Sequence, residues 1–140
     1  MKTILLVDGD VGFLAECAEL LSAPDRLVLT ERDGYEALRV LVEKPIDLLI
    51  TDVKMPWITG FALAHLAKLV RQNLCVIYAA SNHCEGGNVG DLAYGPILRK
   101  PFRTGQLLEA VNAVSSFNKP RSRRVKAPFC YVPGILGQRG

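Results

Sequence analysis

The sequence contains two short apolar segments that each lead into a charged residue. The run at 45–50, Pro-Ile-Asp-Leu-Leu-Ile, precedes Thr51 and Asp52, and the stretch at 96–99 precedes Lys100. A segment as apolar as the first is typical of a central strand in a parallel sheet, which helices cover on both faces. The carboxyl ends of parallel strands share one edge of the sheet, so Asp52 and Lys100 can meet there. A carboxylate in that place can attack phosphorus, and a lysine beside it can hold the transferred group as a point charge.

The rest of the chain alternates between patterns typical of strands and of helices. Strands are predicted at Thr3–Val7, Arg26–Thr30, Ile46–Thr51, Leu74–Ala80 and Pro96–Arg99, and helices at 13–21, Tyr35–Glu43, Phe61–Arg71 and Thr104–Phe117. Five strands that alternate with helices predict an α/β fold with a parallel sheet and right-handed crossover connections. Asp8, Asp52, Ser81 and Lys100 all fall at predicted strand ends, where they can converge.

Local patterns add detail to two of the helices. Asp10 has a side chain suited to capping the first helix. In the second helix, the apolar spacing predicts that Ala37, Leu38, Leu41 and Val42 face the core.

A glycine-rich stretch interrupts the alternation before the last strand. Residues 82–95 contain Gly86, Gly87, Gly90 and Gly95, and a glycine costs about 1 kcal/mol relative to alanine inside a helix. We therefore predict only a short helix there, between Asn88 and Tyr94.

Composition indicates one domain followed by a basic tail. The chain has 140 residues, of which 49% are hydrophobic, enough for a single core. Residues 1–117 hold 11 lysines and arginines against 14 aspartates and glutamates, a net charge of −3, whereas residues 118–140 hold six basic residues and no acid. We predict a domain at 1–117 and a disordered linker or vector-derived tail at 118–140. The tail has no helical periodicity, so nucleic-acid binding is not expected.

The sequence shows no feature of a membrane or secreted protein. No apolar run approaches the roughly 20 residues that cross a bilayer, and the apolar start, which ends at Asp8, is too short for a signal peptide. The four cysteines form no C-x-x-C pair with metal-ligand spacing. We expect a cytoplasmic protein with no cysteine-based metal site.

The motifs resemble those of the receiver domain of bacterial two-component response regulators. The resemblance covers about residues 2–117 and rests on the Asp52 loop, the Lys100-Pro101-Phe102 loop and the segment at 33–38, Asp-Gly-Tyr-Glu-Ala-Leu. It implies a flavodoxin-like three-layer sandwich with a five-stranded parallel sheet in the order 2-1-3-4-5. It also implies a signalling module rather than an enzyme.

By the same resemblance, Asp52 is the phosphoacceptor in a phosphorelay, and Lys100 and Ser81 contact the phosphoryl group. Magnesium is expected on the side chains of Asp8 and Asp52 and the carbonyl of Lys54. The expected partners are a histidine kinase or phosphotransfer protein and a downstream protein, with a homodimer possible. The Lys100–Pro101 peptide bond is expected to be cis.

The sequence departs from the family pattern at three positions. Gly9 stands where the family has a second acidic residue, which predicts a weak magnesium site. Ala80 falls where the family has serine or threonine, and Ser81 is next to it, so the register stays open. Ile97 replaces the aromatic residue of the family's switch, and Tyr94 is nearby but out of phase.

Two alternatives follow from these residues. Asp8-Gly9-Asp10 also resembles the opening of haloacid-dehalogenase-type phosphatases, with Asp8 as nucleophile and Asp10 as general acid or base. That family also needs a later pair of acids for magnesium after its lysine, whereas Glu109 is the only acid after Lys100. The more serious alternative is a pseudo-receiver that keeps the fold and signals through protein–protein interaction without phosphorylation. It follows from the three departures, because phosphoryl transfer depends on charge stabilisation and positioning.

Overall fold

The computed structural model describes residues 2–81 and 94–117. Its strands are β1 (Lys2–Val7), β2 (Arg26–Glu31), β3 (Leu48–Asp52), β4 (Cys75–Ala80) and β5 (Ile97–Arg99). Its helices are α1 (Val11–Leu21), α2 (Gly34–Glu43), α3 (Gly60–Val70) and α4 (Thr104–Phe117). Every strand and helix predicted within these ranges is present, with ends that differ by at most two residues.

The five strands form one parallel sheet in the order β2-β1-β3-β4-β5, so the predicted fold class and strand order are confirmed. Val7 of β1 lies opposite Thr51 of β3, and Asp52 lies opposite Ala79 of β4. This register brings the carboxyl ends of β1, β3 and β4 to the same edge. Residues that follow these strands are therefore neighbours in space although they are far apart in sequence.

Two apolar clusters cover the two faces of the sheet and give the molecule three layers. Helices α2 and α3 pack on one face, and α1 and α4 pack on the other. The first face buries strand residues Leu5, Val7, Leu49, Val76 and Tyr78, and the second buries Ile4, Leu6, Leu48, Ile50, Cys75 and Ile77. Both faces of β1, β3 and β4 are thus buried, which confirms the prediction made for the apolar run at β3.

Side chains in the connecting loops fix where three helices begin. Asp10 accepts a hydrogen bond from the Phe13 N–H at 3.1 Å, which confirms the predicted cap of α1. Asp33 caps α2 and Thr59 caps α3 in the same manner. Each cap satisfies one of the N–H groups that a helix leaves without an internal partner.

Some predictions differ from the structure or fall outside it. Val42 is 57% exposed, and Val40 is buried in its place, so the predicted inward face of α2 was wrong at that position. The predicted helix between Asn88 and Tyr94 and the tail at 118–140 lie outside the described residues, apart from Tyr94 itself. In the described part of the chain, no helix has the length and apolar character needed to span a membrane.

Gly60 lets the start of α3 lie directly against the end of β3. A Cβ atom at Gly60 would come within 2.1 Å of the Asp52 carbonyl oxygen, and the Gly60 N–H donates to the Val53 carbonyl at 2.8 Å. Since the obstacle is backbone on both sides, a larger residue cannot be accommodated by a side-chain rotation. Gly60 therefore fixes the path of the chain immediately after Asp52.

We expect the Gly60→Ala variant to lose about 2 kcal/mol or more of unfolding free energy, the cost of overpacking against an immobile backbone. Gly105→Ala is the matched control, because a Cβ at Gly105 meets no atom within 4 Å. Urea denaturation should leave the control as stable as wild type or slightly more stable. Equal stability of the two variants would contradict the close approach at Gly60.

Candidate functional site

Asp8 is a carboxylate buried at the carboxyl end of β1, with only 3% of its surface exposed. Its Oδ1 accepts a hydrogen bond from the Asp10 N–H at 2.9 Å, and its own N–H donates to the Glu31 carbonyl at 3.2 Å. These contacts fix both the backbone and one carboxylate oxygen. The second oxygen, Oδ2, is directed toward Lys100.

Lys100 joins the ends of three strands. Its Nζ lies 2.6 Å from Asp8 Oδ2 and 3.7 Å from Asp52 Oδ1. Its backbone N–H donates to the Ala80 carbonyl at 2.7 Å, which fixes the loop after β5 against β4. The Lys100–Pro101 peptide bond is cis, as expected from the resemblance. The predicted convergence of Asp8, Asp52 and Lys100 is therefore observed.

Asp52 lies at the end of β3 with 14% of its side chain exposed. Its Oδ1 accepts a hydrogen bond from the Val53 N–H at 2.9 Å. Burial raises the pKa of Asp52, and the nearby Asp8 raises it further, whereas the Lys100 charge and the Val53 hydrogen bond oppose the rise. The ammonium of Lys100 thus favours the ionised form of a carboxylate that desolvation disfavours.

Lys100 also contacts an aromatic side chain that was not among the predicted site residues. The Nζ atom of Lys100 lies over the ring of Phe13, 4.3 Å from its centroid. Phe102 packs edge-on against the same ring, with 5.8 Å between the centroids. Phe13 matches an ordinary apolar helix position, and its contact with Lys100 depends on the tertiary fold.

Two other predicted site residues lie at the rim. β4 ends at the buried Ala80, and Ser81 follows the strand with an exposed side chain. Lys54 is exposed in the loop after β3. The structure thus brings Ser81 and Lys54 to the correct edge of the sheet. The contacts predicted for the Ser81 hydroxyl and the Lys54 carbonyl remain predictions.

The position of the family's switch residue carries no aromatic ring. Ile97 pairs with Tyr78 in the sheet and packs against the α2–α3 face. Tyr94, three residues earlier, has its hydroxyl 2.9 Å from Nδ1 of His65 on α3.

The carboxylates of Asp8 and Asp52 are suitable ligands for magnesium, although they give the site only two negative charges. Asp8 and Asp52 both direct an oxygen toward the Lys100 side, and magnesium prefers oxygen ligands and retains several waters. Asp10, the next acid after Gly9, uses its Oδ1 to cap α1. Across residues 2–81 and 94–117, no three acidic, histidine or cysteine side chains form a group that could hold a metal ion.

Comparison with known sequences gives consistent results. A family model described as the response regulator receiver domain matches residues 4–112. The chain is 27% identical over 128 residues to the response regulator SaeR of Staphylococcus epidermidis, covering 85% of this chain and 56% of that protein. It is 30% identical over 115 residues to the transcriptional regulatory protein CpxR of Klebsiella pneumoniae, covering 81% and 49%. The chain spans about half the length of these relatives.

Solved structures agree with these matches. A response regulator receiver protein from Sinorhizobium medicae superposes with a TM-score of 0.74 at 25% identity, over 84% of this chain and 97% of that one. The response regulator TrrA from Thermotoga maritima, whose structure is a complex with Mg2+-BeF, superposes with a TM-score of 0.72 at 26% identity, over 80% and 97%. The family match, the strand order and the converging Asp8, Asp52 and Lys100 lead to one conclusion: the chain belongs to the response regulator receiver domain family.

Proposed function

We propose that Asp52 accepts a phosphoryl group from a histidine kinase or a phosphotransfer protein. The observation that carries the proposal is the position of the Lys100 ammonium, 3.7 Å from Asp52 Oδ1 and 2.6 Å from Asp8 Oδ2. A cation in this position can neutralise negative charge that develops at Asp52 while it remains close to the buried carboxylate of Asp8. Stabilising charge where it develops is the main protein contribution to phosphoryl transfer.

The proposed step is an in-line displacement at phosphorus. An oxygen of the Asp52 carboxylate forms a new P–O bond, the P–N bond to the donor imidazole breaks, and the electron pair of that bond leaves with the imidazole. Oδ1 accepts the Val53 hydrogen bond, so we assign the attack to Oδ2. The product is an acyl phosphate on Asp52 whose added negative charge attracts Lys100.

Magnesium, held by the Asp8 and Asp52 carboxylates and the Lys54 carbonyl, would neutralise phosphoryl oxygens during the transfer. Two carboxylates supply less charge than the three that a second acid in place of Gly9 would give. We therefore propose that this chain binds magnesium weakly.

The wider role of the chain is proposed from its relatives. Because proteins such as SaeR and CpxR are named as regulators and extend to about twice the aligned length, we propose that this receiver passes its signal to a downstream protein partner. We also propose a cytoplasmic signalling module rather than an enzyme. The phosphatase alternative is disfavoured because Glu109, inside α4, is the only acid after Lys100, and because Asp10, its proposed general acid or base, uses Oδ1 to cap α1.

A second candidate function is favoured by two observations. Gly9 offers no carboxylate, and the buried Ala80 at the end of β4 offers no hydroxyl. A pseudo-receiver that signals without phosphorylation would have both features. The two functions differ in whether Asp52 becomes phosphorylated.

Incubation with acetyl phosphate and magnesium should add one phosphoryl mass to the wild type and none to Asp52→Asn, because Asp52 is the more exposed of the two carboxylates beside Lys100, whereas Asp8 is buried. Asp10→Asn is the matched control, since asparagine also caps helices, and it should be labelled like wild type. Intact-mass spectrometry measures all three proteins. No labelling of the wild type would favour the pseudo-receiver, and labelling of Asp52→Asn would refute the assignment of the acceptor.

The Gly9→Asp substitution should tighten magnesium binding by roughly five-fold or more, because an added charge near the ion contributes more than about 1 kcal/mol. The position tolerates a side chain: a Cβ there meets no atom within 4 Å, and the backbone lacks the positive φ that favours glycine. Isothermal titration calorimetry compares Gly9→Asp with the uncharged Gly9→Asn. Equal affinities of the two variants would show that the missing acid does not limit binding.

The Asp52 carboxylate should titrate above the ordinary value of 3.8 when magnesium is absent, since burial raises its pKa. A raised pKa means that the nucleophilic, ionised form is lost at a higher pH as the solution is acidified. Lys100→Met should move the titration midpoint further upward, because the Lys100 charge lowers the pKa of Asp52. Carbon-13 NMR of the Asp52 carboxyl carbon measures both midpoints, and a lower midpoint in Lys100→Met would contradict this electrostatic account.

A further inference from the structure

We propose that Phe13 is a positioning residue for Lys100: the face of its ring holds the ammonium beside Asp52 by a cation–π interaction. The proposal deepens the proposed function and rests on it. It concerns an aromatic side chain on α1, outside the carboxylates and the lysine already described.

The geometry places the charge over the face of the ring. Lys100 Nζ lies 4.3 Å from the Phe13 centroid, within the range of about 6 Å for cation–π attraction. The ring face carries the negative part of the aromatic quadrupole, so a cation there is attracted. The Lys100 side chain is 21% exposed, and partial removal from water strengthens the attraction.

The surroundings hold the ring in place. The Phe13 N–H donates to the Asp10 side chain at 3.1 Å, which fixes the first turn of α1. Phe102 packs against the ring at an interplanar angle of 76°. The ring is therefore supported from its own helix and from the loop that carries Lys100.

The ring differs from the other two partners of Lys100 in one respect. Asp8 and Asp52 are carboxylates, and phosphorylation would change the charge at Asp52. The Phe13 ring keeps its charge distribution throughout the transfer and has no oxygen acceptor that would compete with phosphoryl oxygens for the Lys100 N–H groups. It can hold the ammonium near Asp52 while the lysine exchanges contacts from Asp8 to the phosphoryl group.

The alternative explanation is that Phe13 only fills space, since it also packs against the α1–α4 core cluster. Site-specific replacement of Phe13 by 4-fluoro-, 3,5-difluoro- and 3,4,5-trifluorophenylalanine separates the two explanations. Fluorine withdraws electron density from the ring face and changes the shape very little. Phe61 is the matched control, because its ring packs in the core and also has an edge-on aromatic partner. That partner is Tyr78, with 4.8 Å between the ring centroids.

The readouts are the rate of Asp52 phosphorylation by acetyl phosphate with saturating magnesium and the urea midpoint of unfolding. We expect both to fall progressively with each fluorine at Phe13, with a total rate loss on the order of three- to five-fold for the trifluoro ring. The same series at Phe61 should show no such gradation in rate. Phe13→Tyr, which keeps the ring face, should stay close to wild type, and Phe13→Leu should lose at least as much rate as the trifluoro variant.

A rate and a midpoint independent of fluorination at Phe13 would overturn the proposal, as would equal gradations at Phe13 and Phe61. Absence of any phosphorylation in the wild type would instead defeat the proposed function. In that case the urea midpoint of unfolding alone tests whether Phe13 and Lys100 form a cation–π interaction. A graded fall at Phe13 that exceeds the fall at Phe61 supports the contact, and matching series overturn it.

Discussion

The site depends on one partly buried ion pair, the contact of 2.6 Å between Lys100 Nζ and Asp8 Oδ2. Asp8 is almost completely buried, and a buried carboxylate without a partner is strongly unfavourable. Lys100 supplies the compensating charge and also approaches Asp52. The pair therefore has two consequences: it makes the burial of Asp8 tolerable, and it fixes a cation beside the carboxylate that we propose as the phosphoacceptor.

Two close backbone contacts bring these side chains together. Gly60 lies against the Asp52 carbonyl, and a Cβ atom at Gly95 would come within 1.7 Å of the Val76 carbonyl oxygen. The first contact fixes the exit of the chain from β3, and the second holds the segment before β5 against β4. Since Lys100 follows β5 directly, its distance from Asp52 depends on this packing as well as on its own side chain. The proposed chemistry thus also depends on two glycines that lie outside the group formed by Asp8, Asp52 and Lys100.

The sequence predicted the sheet, the strand ends and the convergence of Asp8, Asp52 and Lys100, because these follow from apolar runs and from the geometry of parallel strands. The Asp10 cap was also predictable, because a helix cap joins residues that are close together in the sequence. The contact between Phe13 and Lys100 was not predictable, because 87 positions separate these residues and Phe13 fits an ordinary helix pattern. Val42 was misplaced because its spacing suits the core face of α2 and only the packed structure shows that Val40 is buried instead. The roles of Ser81 and Lys54 depend on single atoms at the rim, which periodicity does not resolve.

The departures from the family pattern do not disturb the ion pair itself. Gly9 and Ala80 stand where the family pattern has an acid and a hydroxyl, but neither supports Lys100 through its side chain. The most direct test of the account is a crystal structure of the protein with magnesium and beryllofluoride, a phosphoryl mimic. We expect beryllofluoride on Asp52, magnesium contacted by Asp8 and Asp52, and Lys100 Nζ within hydrogen-bonding distance of a fluoride. An unmodified Asp52 at saturating beryllofluoride, with Lys100 still paired to Asp8, would contradict it.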